Sequence, residues 1–276
     1  MQTFKEKYFR KQIAVPQDHG SWVFIITPLV IGFVLSGKFN TSSIYLLIAA
    51  FAAFFIRQPV TAAVKSYAGR RPHRDLPAAY FWISVYGFIA LLMLIGLGMR
   101  GYLDVVYLAV PGFLIFGWHL YLVSKRDERK QAGLDVVASG ALALAAPAAF
   151  WIGRGVYDPF GWLLWLLIWF QSAASIVHAY MRLEHRKQAK IPERSEKLKI
   201  GSRALMYTSF NLLVSFLLGL FSILPSLIFL AYFPQWIEAI WWTFNPDIKA
   251  KPVPIGIRQT VVSTLFIVLF LIFWSV

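Results

Sequence analysis

Residues 204–242 read ALMYTSFNLLVSFLLGLFSILPSLIFLAYFPQWIEAIWW, and Glu238 is the one formal charge among them. Drawn as one helix, this run would be roughly 58 Å long at about 1.5 Å per residue. That is nearly twice the ~30 Å hydrocarbon core of a bilayer, so the chain has to cross and turn back. Ser222 and Pro225 mark the tip of that turn, since proline cannot continue the hydrogen-bonding pattern of a helix. The same length test applied outward gives nine membrane-spanning helices, at 17–36, 43–64, 77–98, 102–123, 133–152, 160–181, 203–221, 224–243 and 258–275.

Composition agrees with that reading. Of 276 residues, 58% are hydrophobic and only 14% charged, where a soluble domain carries about 25% charged residues. The expected fold is therefore an all-α, polytopic transmembrane bundle forming a single domain over residues 1–276. With no cysteine, disulfides, thiolate nucleophiles and Cys-ligated metals are excluded. The first 20 residues, with Lys5, Lys7, Arg10 and Lys11 interrupted by Glu6 and Asp18, do not form a cleavable secretory signal, so the first span directs insertion.

The net charge of +14 does not point to nucleic acid, because cytoplasmic loops of membrane proteins are themselves enriched in Lys and Arg. With the N-terminus in the cytoplasm, alternate loops collect all the Lys and Arg residues except Lys38, Arg100 and Arg154. The C-terminus is then expected outside the cell membrane. An eight-span arrangement would move Lys249 and Lys251 outside and weaken the pattern.

The spans differ in kind. The fifth carries Gly140, Ala141, Ala145 and Ala146, and small residues let helix backbones approach closely in lipid, so it is expected at the centre. The sixth, with Trp162, Trp165, Trp169 and Phe170, is expected to show a bulky side to lipid. The basic loop near residues 183–202 is expected to lie on the anionic inner leaflet.

Polar residues within spans are costly and mark functional candidates. Pro16-Gln17-Asp18-His19-Gly20-Ser21-Trp22 opens the first span, with Asp18 as an N-cap and His19 as a titratable group. Arg57, Thr61 and Lys65 share a helix face at i, i+4, i+8 beside Gln58 and Pro59. Gln171, Ser175, His178 and Arg182 form one polar stripe on an otherwise apolar sixth span. Each group also has a structural reading: a cap with an interfacial Trp, cations reaching the headgroups, and a polar seam between helices. Weaker candidates are Asn211, His119 (read as interfacial beside Trp118) and Glu238, which is expected to pair with Arg57 or Arg258. No span carries two carboxylates at i, i+3 or i, i+4, so a magnesium site for diphosphate is not expected. Nor is there a zinc His/Glu pair, nucleophile elbow or Walker loop.

The segment Pro16–Trp22, with Arg57-Gln58-Pro59 ending span two and Pro254-Ile255-Gly256 opening span nine, resembles the YwiC-like family of bacterial membrane proteins. More distantly, nine spans and a polar segment after span two ending in Arg70-Arg71-Pro72 look like the UbiA-type intramembrane prenyltransferases. In that family Asp-rich motifs after spans two and six hold magnesium and a prenyl diphosphate. Their positions here would be Arg57, Gln58, Thr61 and Lys65, and then Gln171, Ser175, His178 and Arg182, where every acidic place is neutral or basic.

The resulting expectation is a UbiA-like bundle without a cofactor or metal and without magnesium-dependent prenyl transfer. A basic, cytoplasm-facing cavity would bind an anionic or isoprenoid (quinone-like) lipid headgroup. Its ligand-binding residues would be His19, Arg57, Gln58, Lys65, Arg71, Gln171, Ser175, His178 and Arg182, with the second and sixth helices converging on one pocket. The competing readings are a small-solute transporter and a structural subunit with a membrane-complex partner.

Overall fold

The computed structural model describes residues 7–16, 19–125 and 132–275, without the side chain of His19. Among these residues the architecture is all helical. A short helix α1 (Lys11–Ala14) precedes α2 (Val23–Ser36), α3 (Thr41–Tyr67), α4 (Leu76–Met99), α5 (Leu103–Tyr107), α6 (Ala109–Ser124), α7 (Ala132–Ala143) and α8 (Ala145–Arg154). There follow α9 (Phe160–His185), α10 (Arg194–Leu220), α11 (Phe233–Phe244) and α12 (Pro252–Trp274). Among the described residues, each of the nine expected segments overlaps helical structure. Among the described residues seven helical stretches are long and apolar enough to cross a membrane. The 14-residue α2 and 12-residue α11 are shorter, each being preceded by a 3-10 turn, so the full count of nine crossings is not established by length. The protein is a multi-pass membrane protein.

Two spans are broken at corresponding points, and proline explains both. Pro111 and Pro147 have no N–H to give the carbonyl four residues earlier. The carbonyls that lose their partner are those of Tyr107 and Ala143, and α5 and α7 end on these two residues. The turn after α10 lies where the sequence put it: Ser222 takes a left-handed φ of 57°, and the N–H groups of Ile223 and Leu224 fold back onto the Leu218 carbonyl.

The broken span α7–α8 is the most buried in the bundle, as its small residues implied. A Cβ on Gly32 of α2 would come within 2.5 Å of the Ala146 carbonyl oxygen, so only glycine permits this approach of α2 to α8. The sixth span keeps a bulky exposed side at Trp162, but Trp165 and Trp169 are part-buried; their indole N–H groups donate to the carbonyls of Gly140 (2.9 Å) and Val136 (2.8 Å) on α7. The small residues of α7 make the room, and an otherwise unpaired indole N–H in hydrocarbon gains an acceptor. Trp162 alone of these three stays exposed.

The N-terminal segment is clamped across α3 and α4. Ile13 is buried with Ala62, Ala63, Ala78 and Ala79. Arg10 pairs with Asp75 at 2.5 Å, and Trp82 and Tyr86 donate to the carbonyls of Tyr8 and Ala14.

Candidate functional site

The residues singled out from the sequence separate into three places. The first is the clamp just described. Gln58 donates through Nε2 to the Gln12 carbonyl at 2.9 Å, and Arg71 lies 3.8 Å from Asp75. Gln58 thus ties α3 to the N-terminal segment, Arg71 pairs within its own loop, and neither lines the cavity described next. Lys65, in the last turn of α3, is part-exposed. Gln17 and Asp18 and the side chain of His19 lie outside the described residues, and the 3-10 turn His19–Trp22 packs against α2 and α12.

The second place is a cavity of about 270 Å3 between α3, α4, α6 and α7–α8. Its walls are mostly Ala, Leu, Ile and Phe, and its polar side chains are Arg57, His119 and Asp135. Helices α3 and α6 run in one direction through the bundle and α7 runs back. Arg57 and His119 are the last lining residues of α3 and α6, and Asp135 is the first of α7. Chain direction therefore gathers all three at the end nearest the Arg70–Arg74 loop. Asp135 is held from behind by the Tyr180 hydroxyl, which donates to Oδ2 at 2.7 Å. Leu108 and Leu144, the two proline-induced breaks, both line the cavity. Irregular backbone is tolerated at membrane depth where it lines such a space. On its outer side α4 packs along α3, and among the described residues it makes few contacts with α6, the other helix on that side of the cavity.

The third place is the polar stripe of α9. Gln171, Ser175, His178 and Arg182 are all buried, and they face α11 and α12, not Arg57. The second and sixth helices therefore do not form the expected single pocket: none of the four stripe residues lines the cavity that holds Arg57. The reason is that α7 stands between α3 and α9, its Asp135 lining the cavity on one side while the Val136 and Gly140 carbonyls take the α9 tryptophans on the other. His178 Nδ1 bonds Gln259 Oε1 at 3.1 Å, and Gln259 Nε2 donates to Gln235 Oε1 at 2.5 Å. At the end of the stripe the Arg182 guanidinium lies 3.6 Å over the Trp242 ring. Glu238 accepts two bonds from Arg258, at 2.8 and 2.6 Å, and a third from the Trp242 indole at 2.8 Å. Of the two partners expected for Glu238, Arg258 is the one it takes.

Asp135, Tyr180, Gln235 and Gln259 were not singled out from the sequence. Their signal was present as polar residues within apolar spans, but each gains meaning only from a partner on a helix distant in the chain. His119 was read as interfacial and instead lines the cavity. Asn211 donates to the Phe170 carbonyl at 2.7 Å, a helix–helix tie.

Residues 15–150 match the family model described as "YwiC-like protein". The chain is 26% identical to "Uncharacterized protein YwiC" of Bacillus subtilis (strain 168) over 265 residues, covering 94% of this chain and 97% of that protein. The likeness to the YwiC-like family seen in the sequence is borne out by these two findings. No solved structure matches the chain, and neither finding bears on the likeness to UbiA-type enzymes.

Proposed function

Taking the chain as an integral membrane protein related to the YwiC-like family, we propose that it binds an amphipathic membrane molecule in the cavity between α3, α4, α6 and α7–α8. The apolar part of the ligand would lie against the Ala, Leu and Phe wall. Its head, carrying hydrogen-bond acceptors such as phosphate or quinone carbonyl oxygens, would meet Arg57 and His119. The observation that carries this reading is the grouping of Arg57, His119 and Asp135 at one end of an otherwise apolar space. Ligand sites have this form: mostly apolar walls with a few convergent polar groups that fix orientation.

Size and access also support a lipid. The volume of about 270 Å3 lies just under the range of roughly 300–1,000 Å3 common for ligand sites, enough for a headgroup and the first part of a chain. The remainder would leave between α4 and α6, which make few contacts with each other and whose outer surfaces are exposed along most of their length. Every lining residue lies between Ile25 and Ala148, inside the segment that matches the family model. The proposal sets the Arg70–Arg74 face in the cytoplasm, where the distribution of basic residues puts it. An acceptor-bearing head near Arg57 would gain a charge-assisted hydrogen bond, the stronger kind.

Native mass spectrometry of the purified protein, with extraction and identification of any retained lipid, tests this. The expected result is one lipid class enriched over the bulk membrane, depleted in Arg57→Ala and in Ala138→Phe, which would fill the space. Equal retention in all three proteins would refute the proposal.

A further inference from the structure

The polar stripe of α9 holds more hydrogen-bonding capacity than its neighbours satisfy. Among the described residues, Gln171 Oε1 and Nε2, Ser175 Oγ, His178 Nε2 and Gln235 Nε2 are buried without a hydrogen-bond partner. Their residues are between 0% and 3% exposed. Offsets of four and seven place Gln171, Ser175 and His178 on one face of α9, and the His178–Gln259–Gln235 chain brings α12 and α11 to the same face. Buried polar groups in native proteins are paired with protein or with ordered water, and the exceptions call for an occupant.

We infer that the space between α9, α11 and α12 is a second binding site, for a small neutral molecule that both donates and accepts hydrogen bonds. The chemistry of the free atoms sets that class. Gln259 Oε1 is an acceptor in this chain, so His178 carries its proton on Nδ1 and presents Nε2 as an acceptor. Gln235 Nε2 is a donor, while Gln171 and Ser175 each offer both. A bare anion would meet the acceptors and a bare cation the donors, and neither finds a charge of opposite sign among these groups. Water has the required balance, and so does a small solute bearing hydroxyl or amide groups.

The site is blind on one side and closed by charge on the other. Toward the loop between α10 and α11 it ends at Tyr232, Phe266 and Phe270, all fully buried, with the Tyr232 hydroxyl spent on the Leu167 carbonyl. Toward the ends of α9 and α11 it meets Arg182 stacked on Trp242 and the Glu238–Arg258 pair. Arg258 reaches the surface, its side chain 50% exposed, so exchange with solvent would pass this cluster. The inference is independent of the lipid cavity, which shares none of these residues.

Hydroxyl-radical footprinting of the full-length protein in nanodiscs reads local water directly. After correction for intrinsic reactivity, His178 should be modified several-fold faster than Tyr232 and Phe266, although all three are comparably buried. Gln171→Leu should slow labelling at His178, and the contrast within the unaltered protein stands even if that variant does not fold. A small molecule released on denaturation and seen by mass spectrometry would identify a solute as the occupant, and its absence beside fast labelling would identify water. Labelling of His178 no faster than that of Tyr232 and Phe266, with no released molecule, would overturn the inference.

Discussion

The two halves of the bundle use membrane-buried polarity in opposite ways. Between α3, α4, α6 and α7–α8 there is space with little polarity: an apolar cavity with Arg57, His119 and Asp135 gathered at one end. Between α9, α11 and α12 there is polarity with little space: a continuous run from Gln171 to Arg182 packed against Gln235, Glu238 and Gln259. The first arrangement suits a long molecule held by its head, the second a small one held on all sides. The difference arises from residue size. Small Ala and Gly side chains and two proline breaks open the first region, whereas Phe, Tyr and Trp side chains fill the space around the second. Polar residues in a span therefore do not by themselves announce a ligand of one kind; the volume left beside them decides.

The most disruptive way to break the contrast is to strike the helix that divides the regions. A Cβ on Gly140 would sit 2.8 Å from the Trp169 ring. Gly140→Leu should drive α9 from α7 and cost about 3 kcal/mol, the upper part of the range for overpacking. A fall in thermal midpoint together with loss of retained lipid would show it. Next, Gln259→Leu should cost about 2 kcal/mol, because it leaves His178 Nδ1 and Gln235 Oε1 buried without partners. The triple replacement of His178, Gln235 and Gln259 by Leu should recover most of that, since removing all the members together leaves no orphan. Unfolding titrations of the two variants would distinguish a polar node from three independent side chains.

In the cavity, Arg57→Ala should lower lipid affinity about tenfold, the ~1.4 kcal/mol equivalent of one charge-assisted hydrogen bond. A lipid-exchange assay in nanodiscs would measure the loss. The smallest effect belongs to Arg71→Ala. The ion pair with Asp75 is long and part-exposed, and Asp75 keeps Arg10 as a partner. The loss should be under ~0.5 kcal/mol, and a larger one would mean that the clamp supports the cavity mouth.

Much of the fold was legible because hydrophobic length and helical period are local properties. The turn at Ser222, the central place of α7–α8 and the buried stripe from Gln171 to Arg182 all follow from spacing within one helix. What was not legible is which helices stand beside each other. Arg57 and His178 looked like one site because both lie at the same end of their spans, but α7 stands between them. That Trp165 and Trp169 turn their indole N–H groups toward α7 was not legible, because the acceptors lie on another span. The resemblance to known enzymes directed attention to spans two and six and away from Gln235 and Gln259, which come from spans eight and nine.

A cryo-EM map of the protein in a lipid nanodisc puts both regions under one observation. The account predicts elongated density entering between α4 and α6 and ending at Arg57 and His119, with only compact, water-sized features between α9 and α12. A cavity filled by its own side chains, or an acyl or isoprenoid chain lying against His178 instead, would contradict it.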